Sequence, residues 1–299
     1  MRTTLAFLAV LLPAVSAEAQ SFPADGEYVA LPCRDGPMID LYRDESGAID
    51  ERDIVGNTTA FAGLRAVDGS FLYLRMRLDG DPAPGGVLAP FAWGIELDLD
   101  GTRSTYELLI IARGATNDIA LHRNTATTLA NDPNDPANDP PVAVYPFSTH
   151  GRSVTAAGSS FGQNGDFFLD LAIPWSDLTP LGLTPTRPIV AWAATSSTVN
   201  GLNADFACFD NAQGEPTLSG TAPDPTVLDP DADTDGDGFT DAEEVEAGSD
   251  PGDPNDVPSG ATGSVYEGGG GCAVGGGRAP FGIVALLFVA LFWLRRRPD

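Results

Sequence analysis

An all-β fold, arranged as an antiparallel β-sandwich, is what this sequence predicts, and three observations carry the prediction. Short stretches alternate apolar and polar residues, as in Ser70–Asp79 and Phe91–Asp100, the period of half-buried strands. Between them Tyr106–Ala112 is nearly all apolar, as a central strand covered on both faces would be. The 299 residues include 34 Gly and 25 Pro, which favours frequent turns over long helices.

Taken in order, the chain divides into five parts. Residues 1–19 have the form of a secretory signal peptide: Arg2, an apolar run over Leu5–Val15, and Ala17-Glu-Ala19 as a small-x-small cleavage site. The body, 20–222, begins with a polar stretch carrying weak strand signals at Tyr28–Leu31 and Ile39–Tyr42. In Ser70–Asp79, Leu72, Leu74, Met76 and Leu78 share one face; Phe71, Tyr73, Arg75 and Arg77 share the other. In the next strand Trp93, Ile95, Leu97 and Leu99 oppose Glu96 and Asp98. Arg75 and Arg77 are expected to pair with Glu96 and Asp98 across the sheet. Further strands are expected over 118–122, 142–147, 153–157, 166–173 and 188–194, with one helical turn at Trp175–Leu178. Three Asn-Asp-Pro units within Asn131–Pro141 mark an exposed loop.

Composition excludes some partners. The net charge is −26, and all 16 basic residues are Arg, so nucleic acid is not an expected partner. Cys33 and Cys208 lie near the two ends of the body and Cys272 in the tail. In an oxidising compartment Cys33 and Cys208 are candidates for a disulfide that closes the body's ends together; free buried thiols are the alternative.

Past about residue 220 the acids become dense and no basic residue interrupts them through Asp256. Within this part, 223–257, Asp233, Asp235, Asp237, Asp241 and Glu244 occupy positions 1, 3, 5, 9 and 12 of a twelve-residue calcium loop, with Gly238 at position 6. Alternate acids turn their oxygens toward one point. Phe239 at position 7 offers its backbone carbonyl, Asp241 acts directly or through water, and Glu244 closes the site with both oxygens. The run Asp233–Pro251 resembles a bacterial thrombospondin type 3 repeat, and its loop is similar to those of EF-hands and dockerins. That resemblance implies a calcium-stiffened spacer of an extracellular protein. Affinities of such modules run to dissociation constants of ~0.1–1 mM.

Residues 258–278 are a Gly-rich linker, and 279–299 hold the apolar run Ala279–Leu294 followed by Arg295–Arg297. An apolar C-terminal helix is expected there, short for the ~17–25 residues of a spanning segment. The order of Gly run, Cys272, apolar run and Arg cluster resembles the MYXO-CTERM sorting tails of myxobacterial surface proteins. It implies processing near Cys272 and exchange for a lipid anchor; a plain membrane anchor is the other reading. Both put the body outside the cytoplasmic membrane, at the cell surface or outer membrane.

The body offers little sign of catalysis. Gly158-Ser-Ser160-Phe-Gly162 fits the letters of a nucleophile elbow, but both histidines, His122 and His150, precede it, and no helix is expected after it. It reads as a polar hairpin loop. The strands at 71–77 and 168–175 resemble DOMON-like sandwiches and family-nine carbohydrate-binding modules. For such a role Phe71, Tyr73 and Trp175 are the candidate sugar-contacting aromatics, while Trp93 and Trp192 belong to the core. The sequence therefore predicts an exported, surface-anchored calcium-binding protein with a non-catalytic sandwich used for adhesion or ligand binding. A carbohydrate-binding module is the alternative, and a secreted hydrolase stands behind it.

Overall fold

The computed structural model of the chain describes residues 21–45, 47–198, 201–209 and 216–259. The expected signal peptide, Cys272 and the apolar run at 279–299 lie outside the described residues. Among the described residues, no helix is long and apolar enough to cross a membrane.

In chain order, β1 (Val29–Ala30) leads into the small hairpin of β2 (Pro32–Cys33) and β3 (Gly36–Pro37). Next come β4 (Gly63–Val67), β5 (Phe71–Leu78), β6 (Ala92–Asp98), β7 (Leu108–Arg113) and β8 (Asp118–Arg123). They are followed by β9 (Ala143–Pro146), β10 (Gly151–Thr155), β11 (Phe167–Pro174) and β12 (Val190–Ser196). Two antiparallel sheets result, ordered β1-β4-β5-β11-β10 and β12-β6-β7-β8-β9. The single-turn helices α1 (Phe147–His150) and α2 (Trp175–Leu178) sit at strand junctions.

Alternation sets what each sheet buries. Leu72, Leu74, Met76 and Leu78 of β5 and Leu169, Leu171 and Ile173 of β11 meet Trp93, Ile95 and Leu97 of β6 in one core. Leu108, Ile110 and Ala112 of β7 join from the second sheet. Full burial of each such aliphatic side chain contributes about 1.5–3 kcal/mol. Because β7 is the middle strand of its sheet, its other face, Leu109 and Ile111, is buried as well, in a second cluster with Trp192, Leu202 and Phe206. Gly94 admits this layer, since a Cβ there would stand 2.9 Å from the Leu202 Cδ2.

Three expectations are corrected here. Arg75 and Arg77 do not pair with Glu96 and Asp98, because β5 and β6 belong to different sheets. Arg75 lies in register with Asp170 of β11, which in turn lies in register with Arg152 of β10. Their contacts are Arg75 Nε–Asp170 Oδ1 at 2.6 Å and Arg152 Nε–Asp170 Oδ2 at 2.6 Å, with Asp25 reaching Arg75 at 2.8 Å. Second, Phe71, Tyr73 and Trp175 form no exposed aromatic platform. The segment 21–28 folds over the outer face of the first sheet, so Tyr73 is fully buried beside Phe22 and Tyr28. The Tyr73 hydroxyl donates to Asp68 Oδ2 at 2.7 Å. Trp175 is buried in the central core and its Nε1 donates to the Asp68 carbonyl, while Phe71 is half-buried against the Tyr73 and His150 rings. Third, the loop at 131–141 is not simply exposed. Asp135 and Ala137 are buried, and Ala137 joins the apolar cover of the second sheet.

That cover also encloses Glu96, whose two carboxyl oxygens are buried without a hydrogen-bond partner. Burial, and then the charges of Asp135 and Asp132, push the Glu96 carboxyl well above the usual carboxylate range. Gly158–Gly162 lies in the turn between β10 and β11, where the Ser160 hydroxyl donates to the Asn164 carbonyl at 2.5 Å.

Cys33 and Cys208 form a disulfide across 175 residues of sequence. Beyond it the chain returns to the body before leaving. Thr226 bridges Ile189 in antiparallel fashion, and the Arg65 Nε donates to the Val227 carbonyl at 2.8 Å. Leu228 donates its N–H to the Pro185 carbonyl, so the acidic segment starts from an anchored point.

Candidate metal centre

The acidic segment folds around its own side chains. Asp233 Oδ1 accepts from the Gly236 N–H at 2.7 Å and its Oδ2 from the Gly238 N–H at 3.2 Å. Asp235 Oδ1 accepts from the Asp237 N–H, and Asp237 Oδ1 from the Phe239 N–H. The sharp turn puts Gly236 and Gly238 at φ of 77° and 98°, the left-handed region where glycine carries no Cβ penalty. In this geometry one carboxylate oxygen each from Asp233, Asp235 and Asp237 lie within 4.8 Å of one another. Oxygens that share one calcium at 2.3–2.6 Å fall within such a span.

A helix follows at once. In α3 (Asp241–Ala247), Thr240 is the N-cap: its Oγ1 accepts from the Glu243 N–H at 3.2 Å, and the Glu243 carboxylate accepts from the Thr240 N–H at 2.8 Å. This reciprocal capping box fixes the helix start. Gly248, at φ 79°, ends it. The helix brings Glu244 to the loop, fully buried, with both carboxylate oxygens free of any hydrogen-bond donor. Asp235 Oδ2 and Asp237 Oδ2 are likewise buried and unpartnered. Burial first, and then Asp235, Asp237, Asp241 and Asp233, push the Glu244 carboxyl up to about 7.

Asp241 differs from its neighbours. Its two oxygens accept from the Thr234 N–H and the Thr234 hydroxyl, both at 2.7 Å. It therefore ties the helix start to the loop entry, a role that position 9 in the spacing did not reveal. Phe239 is half-buried just after Gly238, with its N–H held by Asp237.

The donor set is oxygen throughout, with no His or Cys, which suits a hard cation such as calcium rather than zinc or copper. A cation there would replace the mutual repulsion of the acids and would link the 233–237 turn to α3 through Glu244.

Comparison with curated proteins and with solved structures finds no match. Residues 233–254 match the family described as Bacterial TSP3 repeat, a calcium-binding type of repeat.

Proposed function

We propose that this chain is an exported, surface-anchored calcium-binding protein whose non-catalytic β-sandwich serves adhesion or ligand binding. The observation that carries the calcium part is the set of buried, donor-free oxygens of Asp235, Asp237 and Glu244 inside the segment matched as a TSP3 repeat. Asp233 completes the acid turn, and the Phe239 carbonyl and Asp241 hold positions 7 and 9. Calcium supplies positive charge at that turn and makes the acidic segment a stiff joint between the sandwich and the tail. Export is supported by the signal-like residues 1–19 and by the Cys33–Cys208 disulfide, a bond suited to oxidising compartments. Surface anchoring rests on the Cys272 and apolar tail pattern.

Limited proteolysis tests the reading. Calcium is expected to protect 224–256 from cleavage, and Asp233→Ala or Glu244→Ala to abolish the protection. Equal cleavage in calcium and in chelator would overturn it.

A further inference from the structure

A second group of acids lies in the body, away from the repeat. Asp40, Asp44 and Asp205 each place a carboxylate oxygen within 4.8 Å of the others, and Glu45, Asp53 and Asp205 do the same, so Asp205 belongs to both groups. Four of these residues lie in the loop between β3 and β4, and Asp205 comes from the segment after β12. Main-chain hydrogen bonds seat three of them on the fold. Asp40 pairs with Gly56 in both directions, the Asp53 carbonyl accepts from Asp79 just after β5, and the Asp205 carbonyl accepts from Thr195 of β12. The disulfide holds the two sides together. Cys208 lies three residues after Asp205, and its N–H donates to the carbonyl of Ile39, the residue before Asp40.

Burial makes this group costly without a cation. Asp40, Asp53 and Asp205 are 4 %, 0 % and 2 % exposed. Asp40 Oδ1 accepts from the Leu41 N–H, but its Oδ2 is buried with no donor, and both oxygens of Glu45 are in the same condition. Asp53 is held by the Arg43 N–H and Asp205 by the Ile54 N–H, one amide each. Of the guanidinium groups nearby, Arg43 pairs with Asp50, and Arg52, which lies over the Phe91 ring, acts on Glu45 through space without forming an ion pair with it. Among the described residues no ion pair reaches Asp40, Glu45, Asp53 or Asp205. Isolated ionised carboxylates in such surroundings are strongly disfavoured unless paired or bound to metal.

We infer that Asp40, Asp44, Glu45, Asp53 and Asp205 form a second calcium centre, inside the sandwich, in which Asp205 is the shared ligand. All donors are oxygens, and carboxylates can supply the six to eight ligand atoms that calcium takes. The centre joins the loop between β3 and β4, which is hydrogen-bonded to the end of β5 at Asp53, to the segment after β12. Its role is to fix the sandwich itself rather than the joint that follows it.

Equilibrium dialysis of the full chain with radioactive calcium separates the two centres. Glu244→Gln disables the repeat, and this variant is expected to retain bound calcium. Adding Asp40→Asn or Asp205→Asn is expected to remove what remains. A Glu244→Gln chain that binds no calcium, or Asp40→Asn and Asp205→Asn changes that leave binding unaltered, would overturn the inference. Folding is checked by thermal unfolding in chelator. Asp40→Asn keeps an oxygen for the Leu41 N–H while removing a charge, so its midpoint should match or exceed that of the parent chain. In calcium, only the parent's midpoint should rise through this centre. A variant less stable than the parent in chelator would mark Asp40 as a structural hydrogen-bonding residue and count against the metal.

Discussion

Asp170 and Asp40 are both buried aspartates of the same sandwich, yet their charges are met in different ways. Asp170 lies between two arginines on the neighbouring strands, and its environment is complete within the chain. Stacking adds to it: the Arg75 guanidinium stands 3.7 Å from the Tyr28 ring centroid and 4.2 Å from that of Phe168. Among the described residues, no arginine forms an ion pair with Asp40 or with Glu244. The first region carries its own counter-charge; in the proposed reading the acid clusters take theirs from solution. The chain has 42 acids against 16 basic residues, and strand register brings two of its arginines to Asp170.

The largest expected effect tests the self-sufficient region. Asp170→Ala leaves two guanidinium groups without their buried partner and should cost about 3–5 kcal/mol in denaturant unfolding. The loss should be the same in calcium and in chelator; a loss that calcium repairs would break the contrast. Glu96 is an intermediate case, a buried acid with neither arginine nor a surrounding acid group within ligand distance. Its folded-state pKa is raised, so the stability it contributes is fully present below its ordinary value of 4.5 and is lost as pH rises above it. Glu96→Gln should flatten that decline and raise stability at pH 8 by on the order of 1 kcal/mol. Thermal unfolding from pH 4 to 8 in chelator checks this, and an unchanged slope would remove Glu96 from the comparison. The smallest effect is local. Thr240→Ala removes the cap of α3, worth ~1 kcal/mol, and should weaken calcium at the repeat about fivefold. The unfolding midpoint of the sandwich should not move.

Much of the fold was legible because strand period is local. The alternation of β5 and β6 and the unbroken apolar run of β7 each named the faces that the core buries. Pairing was less legible. Arg75 and Asp170 are 95 residues apart, and no local pattern says that β5 neighbours β11 rather than β6. Coverage was also hidden: Phe71 and Tyr73 alternate like residues of a solvent face, and only the return of Phe22 and Tyr28 shows that face to be buried. The same distinction separates the two acid groups. Asp233, Asp235 and Asp237 sit in one short run whose spacing has a chemical meaning. Asp40, Asp44, Glu45 and Asp53 lie close in sequence without the spacing of a known ligand loop, and the fold alone brings Asp205 to them. A weak strand signal at 39–42, which becomes a single bridge from Asp40 to Gly56, was the nearest hint.

The disulfide has a topological consequence. By joining Cys33 to Cys208 it closes the backbone into a ring that contains every strand from β4 to β12. Two arms leave this ring at neighbouring points. The amino-terminal arm folds back over the outer face of the first sheet, and the carboxyl-terminal arm bears the calcium repeat. A single break anywhere in the ring, including the Asn-Asp-Pro loop, opens it without dividing the molecule, and the arm leading to the tail stays covalently attached to all the sheets.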